Sequence, residues 1–369
     1  AGVFSGLAFG CKYPSGVIFI AGLLSLIVYS LKNKNRDWAK SLGMFCFGAA
    51  LLALPWLTKN FIFTGNPIYP FFFESGSMNQ IRLNVYQGMQ PYGDLLDLFF
   101  LPIRATIMGV DGTYGYSVSV GPLLLGLGMI AFLGWEDKNE EHKVSIVNAG
   151  LITLFGLLIW AIGNQFSGYL IQTRFYFVLF PAFAILAGYG YFQIKQYRLG
   201  QVRLGRLVAI LVIIVLAFNA FQLISEMVEK DVLAYVFGIQ SNQDYLEKNL
   251  GWYARAINEV GMLENGEKVL MLYEPRGFGC IPICDPDEIL DHWKVAFHEF
   301  DSEEEILTFW MNKGYTHLLV YDKGIEFLRE DEDPHHPPVE LDALEELTTS
   351  LELSATYADW YSLYRLDNR

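Results

Sequence analysis

The sequence predicts an α-helical polytopic membrane bundle of about six to seven transmembrane helices, followed by a small extracytoplasmic α/β domain. Three observations carry this: long apolar blocks, cations gathered in alternate linkers, and a reversal of charge near residue 225. Of the 369 residues, 53% are hydrophobic, and they lie in runs rather than in the scattered pattern of a water-soluble enzyme. Residues 1–225 carry 15 Lys and Arg against 9 Asp and Glu, whereas 226–369 carry 11 against 31, so the net charge changes from +6 to −20. The chain therefore divides into a transmembrane part, 1–225, and an acidic domain, 226–369. A domain of that charge is repelled by phosphates, which excludes nucleic acid as a partner and leaves the lipid bilayer as partner of the first part.

Ala1 opens inside an apolar run with neither an initiating Met nor a cleavage site, which reads as the downstream part of a longer chain. Continuous apolar stretches follow at 16–31, 41–57, 118–134, 144–162, 175–194 and 207–224. Each approaches the length of about 20 residues needed to cross hydrocarbon and lacks the alternation of barrel strands. Lys32, Lys34, Arg36 and Lys40 fill one linker, Lys138 and Lys143 the next, and Lys195, Arg198, Arg203 and Arg206 a third. The positive-inside rule makes these cytoplasmic, so the loops 58–117 and 163–174 and the acidic domain face outward from the cell membrane.

Within the long outward loop, Pro91 to Gly109 places apolar residues at helical spacing beside Asp94, Asp97 and Arg104, as in a helix on the membrane surface or one capping the bundle. The acidic domain alternates strand and helix. KVLMLYE (Lys268 to Glu274) and THLLVYD (Thr316 to Asp322) read as buried strands, and SEEEILTFWMNKG (Ser302 to Gly314) as a helix with a Ser cap and a Gly stop. LDALEELTTS then predicts a helix, and LELSATY and WYSLYRL two further strands. No Gly-rich nucleotide loop, nucleophile elbow or zinc-protease motif occurs in it.

Candidate chemistry concentrates at the outward ends of the spans. Lys12 lies between two apolar stretches with no hydrophilic loop around it, and Lys59-Asn60 ends a span before the rigid aromatic loop GNPIYPFFF. Arg174 opens another span. Cations there suit a lipid-linked phosphate; equally, each side chain can snorkel to the interface, with Phe71 to Phe73 as an aromatic belt. Glu74, Asp94, Asp97 and Asp111 are the outward carboxylates of this part, and none forms a recognisable acid-base pair. Cys280 and Cys284, in CIPIC, can form a local disulfide in an oxidising compartment, or be kept apart by the short loop that Pro282 stiffens. Asp331 to Asp333 with His335 and His336 offer cation ligands or a solvated acidic turn. The cysteines fit no zinc site, and no metal is assigned.

The membrane part resembles the GT-C class of polytopic glycosyltransferases, in particular the bacterial protein-mannosyltransferase and RgtA-like group. GLAFGCKYPSG (Gly6 to Gly16) is similar to that group's small-residue helix ending in a Lys-aromatic pair, and PWLTKNFIFTGNPIYPF (Pro55 to Phe71) to its Lys/Arg-Asn, Thr-Gly-Asn-Pro and Tyr-Pro sequence. TRFYFVLFPAFAILAGYG (Thr173 to Gly190) is similar to its Arg-aromatic helix start. The resemblance implies inverting transfer of a sugar from a polyprenyl-phosphate donor to a glycan, lipid or protein acceptor on the outer face. It implies that Lys12, Lys59 and Arg174 offset the charge of the leaving phosphate, and that Asn60, Asn66 and Tyr69 shape an outer cavity. In that family an acidic residue after the first helix acts as base or binds a divalent cation; no residue here inherits that role. A membrane scaffold with a partner-binding outer domain is the other class compatible with the sequence. A transporter fits less well, because the spans hold almost no ionisable residue.

Overall fold

The computed structural model describes residues 1–32, 37–76, 78–88, 90–109, 116, 118–136, 138–264 and 266–366. Lys34, Arg36 and Asp111 lie outside these. Contacts divide the chain into two compact units, Ala1–Phe218 and Asn219–Arg369. The division falls inside a helix, upstream of the charge reversal near residue 225.

In the first unit α1 (Gly2–Cys11) leads through a single turn at Tyr13–Ser15 into α2 (Gly16–Lys32), and α3 (Trp38–Thr64) follows. The loop beyond α3 carries α4 (Gln80–Gly88), α5 (Leu95–Phe99) and α6 (Leu101–Met108). Then come α7 (Pro122–Ile130), α8 (Glu140–Phe166), 3-10 turns through Leu179, and α9 (Phe180–Ile194). A hairpin of β1 (Arg198–Leu199) and β2 (Val202–Arg203) turns the chain into α10 (Leu204–Glu229).

Five segments among the described residues are long and apolar enough to cross a bilayer: Tyr13–Lys32, Trp38–Thr64, Glu140–Phe166, Thr173–Ile194 and Leu204–Glu229. They mark a membrane protein. The stretch at 118–134, expected as a further span, instead contains the nine-residue α7 followed by turns as far as Gly134. Lys138 holds the last of these turns, its Nζ donating to the carbonyl oxygens of Leu133 and, at 3.1 Å, Gly134.

The two short apolar helices are each seated on a longer one through glycine. A Cβ on Gly6 would stand 2.2 Å from the Ala49 carbonyl oxygen, and one on Gly2 2.0 Å from that of Phe45, so α1 runs parallel to α3 at backbone contact. Gly190 does the same for α9 against α7, its Cβ position lying 1.8 Å from the Leu127 oxygen. In lipid, where apolar side chains gain nothing by leaving the solvent, this close approach is what holds helices together.

The second unit begins with the end of α10 and the helices α11 (Val232–Val236), α12 (Asn242–Leu250) and α13 (Trp252–Val260). Its sheet has the order β4-β3-β5-β7-β6, built from β3 (Val269–Leu272), β4 (Cys284–Asp285), β5 (His317–Tyr321), β6 (Glu352–Tyr357) and β7 (Tyr361–Arg365). Strand β3 pairs parallel with β4 and β5, whereas β7 pairs antiparallel with β5 and β6. Interleaved are α14 (Asp291–Glu299), α15 (Glu303–Asn312), α16 (Asp322–Glu330) and α17 (Pro338–Thr349).

Alternation along β3 sends Leu270 and Leu272 to a core with Trp293, Trp310 and Leu344 from α14, α15 and α17. Val269 and Met271 face Tyr253, Ala256 and Val260 of α13. Both faces are covered, which explains an uninterrupted apolar strand. Ser302 accepts from the Glu305 amide and caps α15, as its sequence predicts. Cys280 and Cys284 form a disulfide across a Cα separation of 5.6 Å.

Candidate functional site

The most built-up polar end of the first unit lies where α1 and α3 finish and the segment leading into α9 begins. Tyr13 is its centre. The Tyr13 hydroxyl accepts hydrogen bonds from the indole Nε1 of Trp56, at 3.2 Å, and from the buried Asn60 side chain. Trp56 and Asn60 are four residues apart, so one face of α3 presents both donors. The Tyr13 ring meets Phe9 and Phe71 edge-on at 5.3 and 5.4 Å, which ties the aromatic loop after α3 to the end of α1.

The three cations expected to read a phosphate stand around this aromatic shelf. Lys12 Nζ lies 4.7 Å from the centre of the Phe175 ring, and the Arg174 guanidinium 5.5 Å from the same ring. Lys59 Nζ lies 4.4 Å from the Trp56 ring. Lys12 and Arg174 thus share one ring, and Lys59 is linked to them through Trp56 and Tyr13. All three are exposed, while Phe175 is buried. A cation over a ring face is attracted by the ring without losing its charge.

Asn66, expected to shape an outer cavity, folds the loop after α3. It is fully buried; its Nδ2 donates to the Phe71 carbonyl at 2.9 Å and to Ser75 Oγ at 3.1 Å, and its Oδ1 accepts from the Ile68 amide. Every polar atom of that side chain is used to fold the loop. Tyr69 precedes a cis peptide bond to Pro70 and packs near Gly76, within the same loop. Asn60 reaches the shelf directly, through Tyr13.

Two of the four carboxylates expected to face outward have structural roles. Asp94 and Asp97 form a reciprocal capping box at the start of α5, and Asp97 also pairs with Arg104 at 2.5 Å. The segment expected as one amphipathic helix is two, α5 and α6. Its Leu95, Phe99 and Ile107 are more than 70% exposed, as suits contact with lipid. Asn164, at the end of α8, holds this loop in place by donating to the Tyr92 carbonyl at 2.9 Å and accepting from its amide at 3.2 Å. Glu74 is exposed on the loop after α3.

No protein-family model, curated protein or solved structure matches this chain. The site is therefore read from its own geometry. A lateral groove of about 780 Å³, lined by Ile152, Val178, Pro181, Ala182 and Ile185, runs along the span that Arg174 opens and reaches His142 at the far end. A cationic shelf at one end of a span and an apolar groove along it match the two halves of a phospholipid-like molecule.

The second unit uses several of its titratable groups internally. Glu274 is fully buried, takes a bidentate contact from Arg276 at 2.8 and 2.6 Å, and accepts from the Tyr361 hydroxyl at 2.7 Å. His336 contacts Asp333 Oδ1 at 3.2 Å and the Ile289 carbonyl at 2.9 Å, so both ring nitrogens are engaged. Among the described residues no group of three or more His, Cys, Asp and Glu is placed to hold a metal ion.

Proposed function

We propose that the chain is a membrane glycosyltransferase component that binds a polyprenyl-phosphate sugar on the outer face of the cell membrane, with its acidic domain outside. The observation that carries the reading is the meeting of Lys12 and Arg174 on one Phe175 ring, beside a shelf that also bears Lys59. As the bond from sugar to phosphate breaks, negative charge builds on the departing oxygen. Fixed cations stabilise that charge more than they stabilise the bound donor, which lowers the barrier. Arg174 offers a planar fork for two phosphate oxygens, and the two lysines act as point charges. Tyr13, Trp56 and Asn60 position the lysine-bearing backbones, and the groove along α9 receives the prenyl chain. The base that activates the acceptor is not assigned to any residue described here.

A photoreactive polyprenyl-phosphate hexose tests this reading. Irradiation of the full chain in nanodiscs is expected to label residues around Tyr13, Trp56 and Phe175, and unlabelled polyprenyl-phosphate hexose to suppress it. Labelling spread evenly along the lipid-facing helices contradicts the proposal.

A further inference from the structure

At the opposite end of α9 the chain forms a second cationic site with a different construction. Strands β1 and β2 place Arg198 directly opposite Arg203, and Leu199 opposite Val202. Like charges facing each other across an antiparallel pair destabilise it. Lys195 at the end of α9 and Arg206 near the start of α10 complete a cavity of about 310 Å³, whose lining contains four cations and no carboxylate. Among the described residues none of these four side chains has an ion pair or hydrogen bond, unlike Lys138 and Lys143 in the linker before α8. The cavity is set by the backbone. A Cβ on Gly205 would stand 2.7 Å from the Lys195 Cα, so α10 starts in contact with the end of α9 and the hairpin has to project beyond both.

Side chains alternate along a strand, so the arginine pair and the Leu199-Val202 pair occupy opposite faces of the hairpin. Leu199 is 72% exposed and Val202 52%. An apolar face and a cationic face on one short hairpin, between two membrane-spanning segments, match the boundary where acyl chains give way to headgroups.

We infer that Lys195, Arg198, Arg203 and Arg206 bind the phosphate of an anionic phospholipid, with Leu199 and Val202 set against its acyl chains. Bound phosphate removes the repulsion between Arg198 and Arg203 and locks the hairpin against α9 and α10. A free anion explains the cations but leaves the exposed apolar pair without a role. The inference is independent of the transferase reading, because the two sites lie at opposite ends of α9.

The test is native mass spectrometry of the full chain in detergent with phosphatidylglycerol, phosphatidylcholine or inorganic phosphate added. Phosphatidylglycerol is expected to bind at least about tenfold more tightly than phosphatidylcholine. R198Q/R203Q is expected to weaken it about thirtyfold, and R198K/R203K to retain most of the affinity. If R198Q/R203Q does not yield folded protein, R206Q alone is expected to weaken binding about fivefold. Equal retention of the two lipids, or unchanged phosphatidylglycerol binding by a folded glutamine variant, overturns the inference. Displacement of phosphatidylglycerol by an equal concentration of inorganic phosphate shows a free-anion site and overturns the lipid assignment.

Discussion

The two units of this chain handle polar groups in opposite ways. In the first, charge is kept at the ends of the helices, where Lys12, Lys59 and Arg174 lie over aromatic rings and remain exposed. In the second, some of the charge is taken inside and paired: Lys294 and Glu340, 7% and 5% exposed, pair at 2.5 Å, and His298 meets the other Glu340 oxygen at 3.0 Å. A domain in water can bury an ion pair within a core that apolar burial already stabilises. Helices in lipid have no such reserve and rely on close backbone packing. Exposed charge at the helix ends of the membrane unit is therefore the better pointer to ligand binding.

Three substitutions probe this contrast, in descending order of effect. K294M leaves Glu340 buried with His298 as its remaining side-chain partner, at a cost of up to about 3–5 kcal/mol, whereas K294M/E340M restores most of the stability. Hydrogen exchange across α14 and α17 reads both, and equal protection in K294M and the wild-type chain shows that the pair contributes little. In the membrane unit, G6L forces α1 away from α3 and costs about 1–3 kcal/mol, measured as loss of monodisperse protein in detergent. Tolerance of leucine there means that something other than backbone contact holds α1.

The smallest effect concerns Asp322, which accepts from Ser362 Oγ at 2.7 Å. Burial pushes its carboxyl up to about 6, above the value of about 4 in an unfolded chain. The folded state holds the proton more tightly, so this contribution is fully present below pH ~4, declines as the pH rises to ~6 and is flat above. D322N is expected to remove that slope and to stabilise the domain at neutral pH by about 1 kcal/mol, reduced by partial exposure. Unfolding curves from pH 4 to 7 that are parallel for wild type and D322N contradict this.

The acidic domain was more legible in the sequence than the membrane unit. Its strands at Val269–Leu272 and His317–Tyr321 and its Ser302-capped helix carry local signals: apolar runs of strand length, a cap and a glycine stop. The edge strand Cys284–Asp285 was missed because two residues show no periodicity. In the membrane unit, apolar length alone could not distinguish a full span from the nine-residue α7, which gives way to turns that Lys138 holds by donating to the Gly134 carbonyl.

At the site, the cations were visible as charges beside apolar runs, but the residues that organise them were not. Tyr13, Trp56 and Phe175 look like ordinary interfacial aromatics until tertiary contacts bring them together. The one local clue was the spacing of Trp56 to Lys59 and Asn60, a single helical turn. The part Asn66 plays in its loop was hidden for the same reason: the sequence shows a polar residue in a loop, and only its hydrogen bonds show that it folds the loop.

The most direct test of the account is the affinity of the full chain in nanodiscs for a polyprenyl monophosphate, compared between wild type and K12Q/R174Q. The shared Phe175 ring predicts binding weaker by about thirtyfold or more in the double variant, with helicity and monodispersity unchanged. Equal affinity in the two proteins would show that the shelf anchors the helices at the interface and does not hold a phosphate.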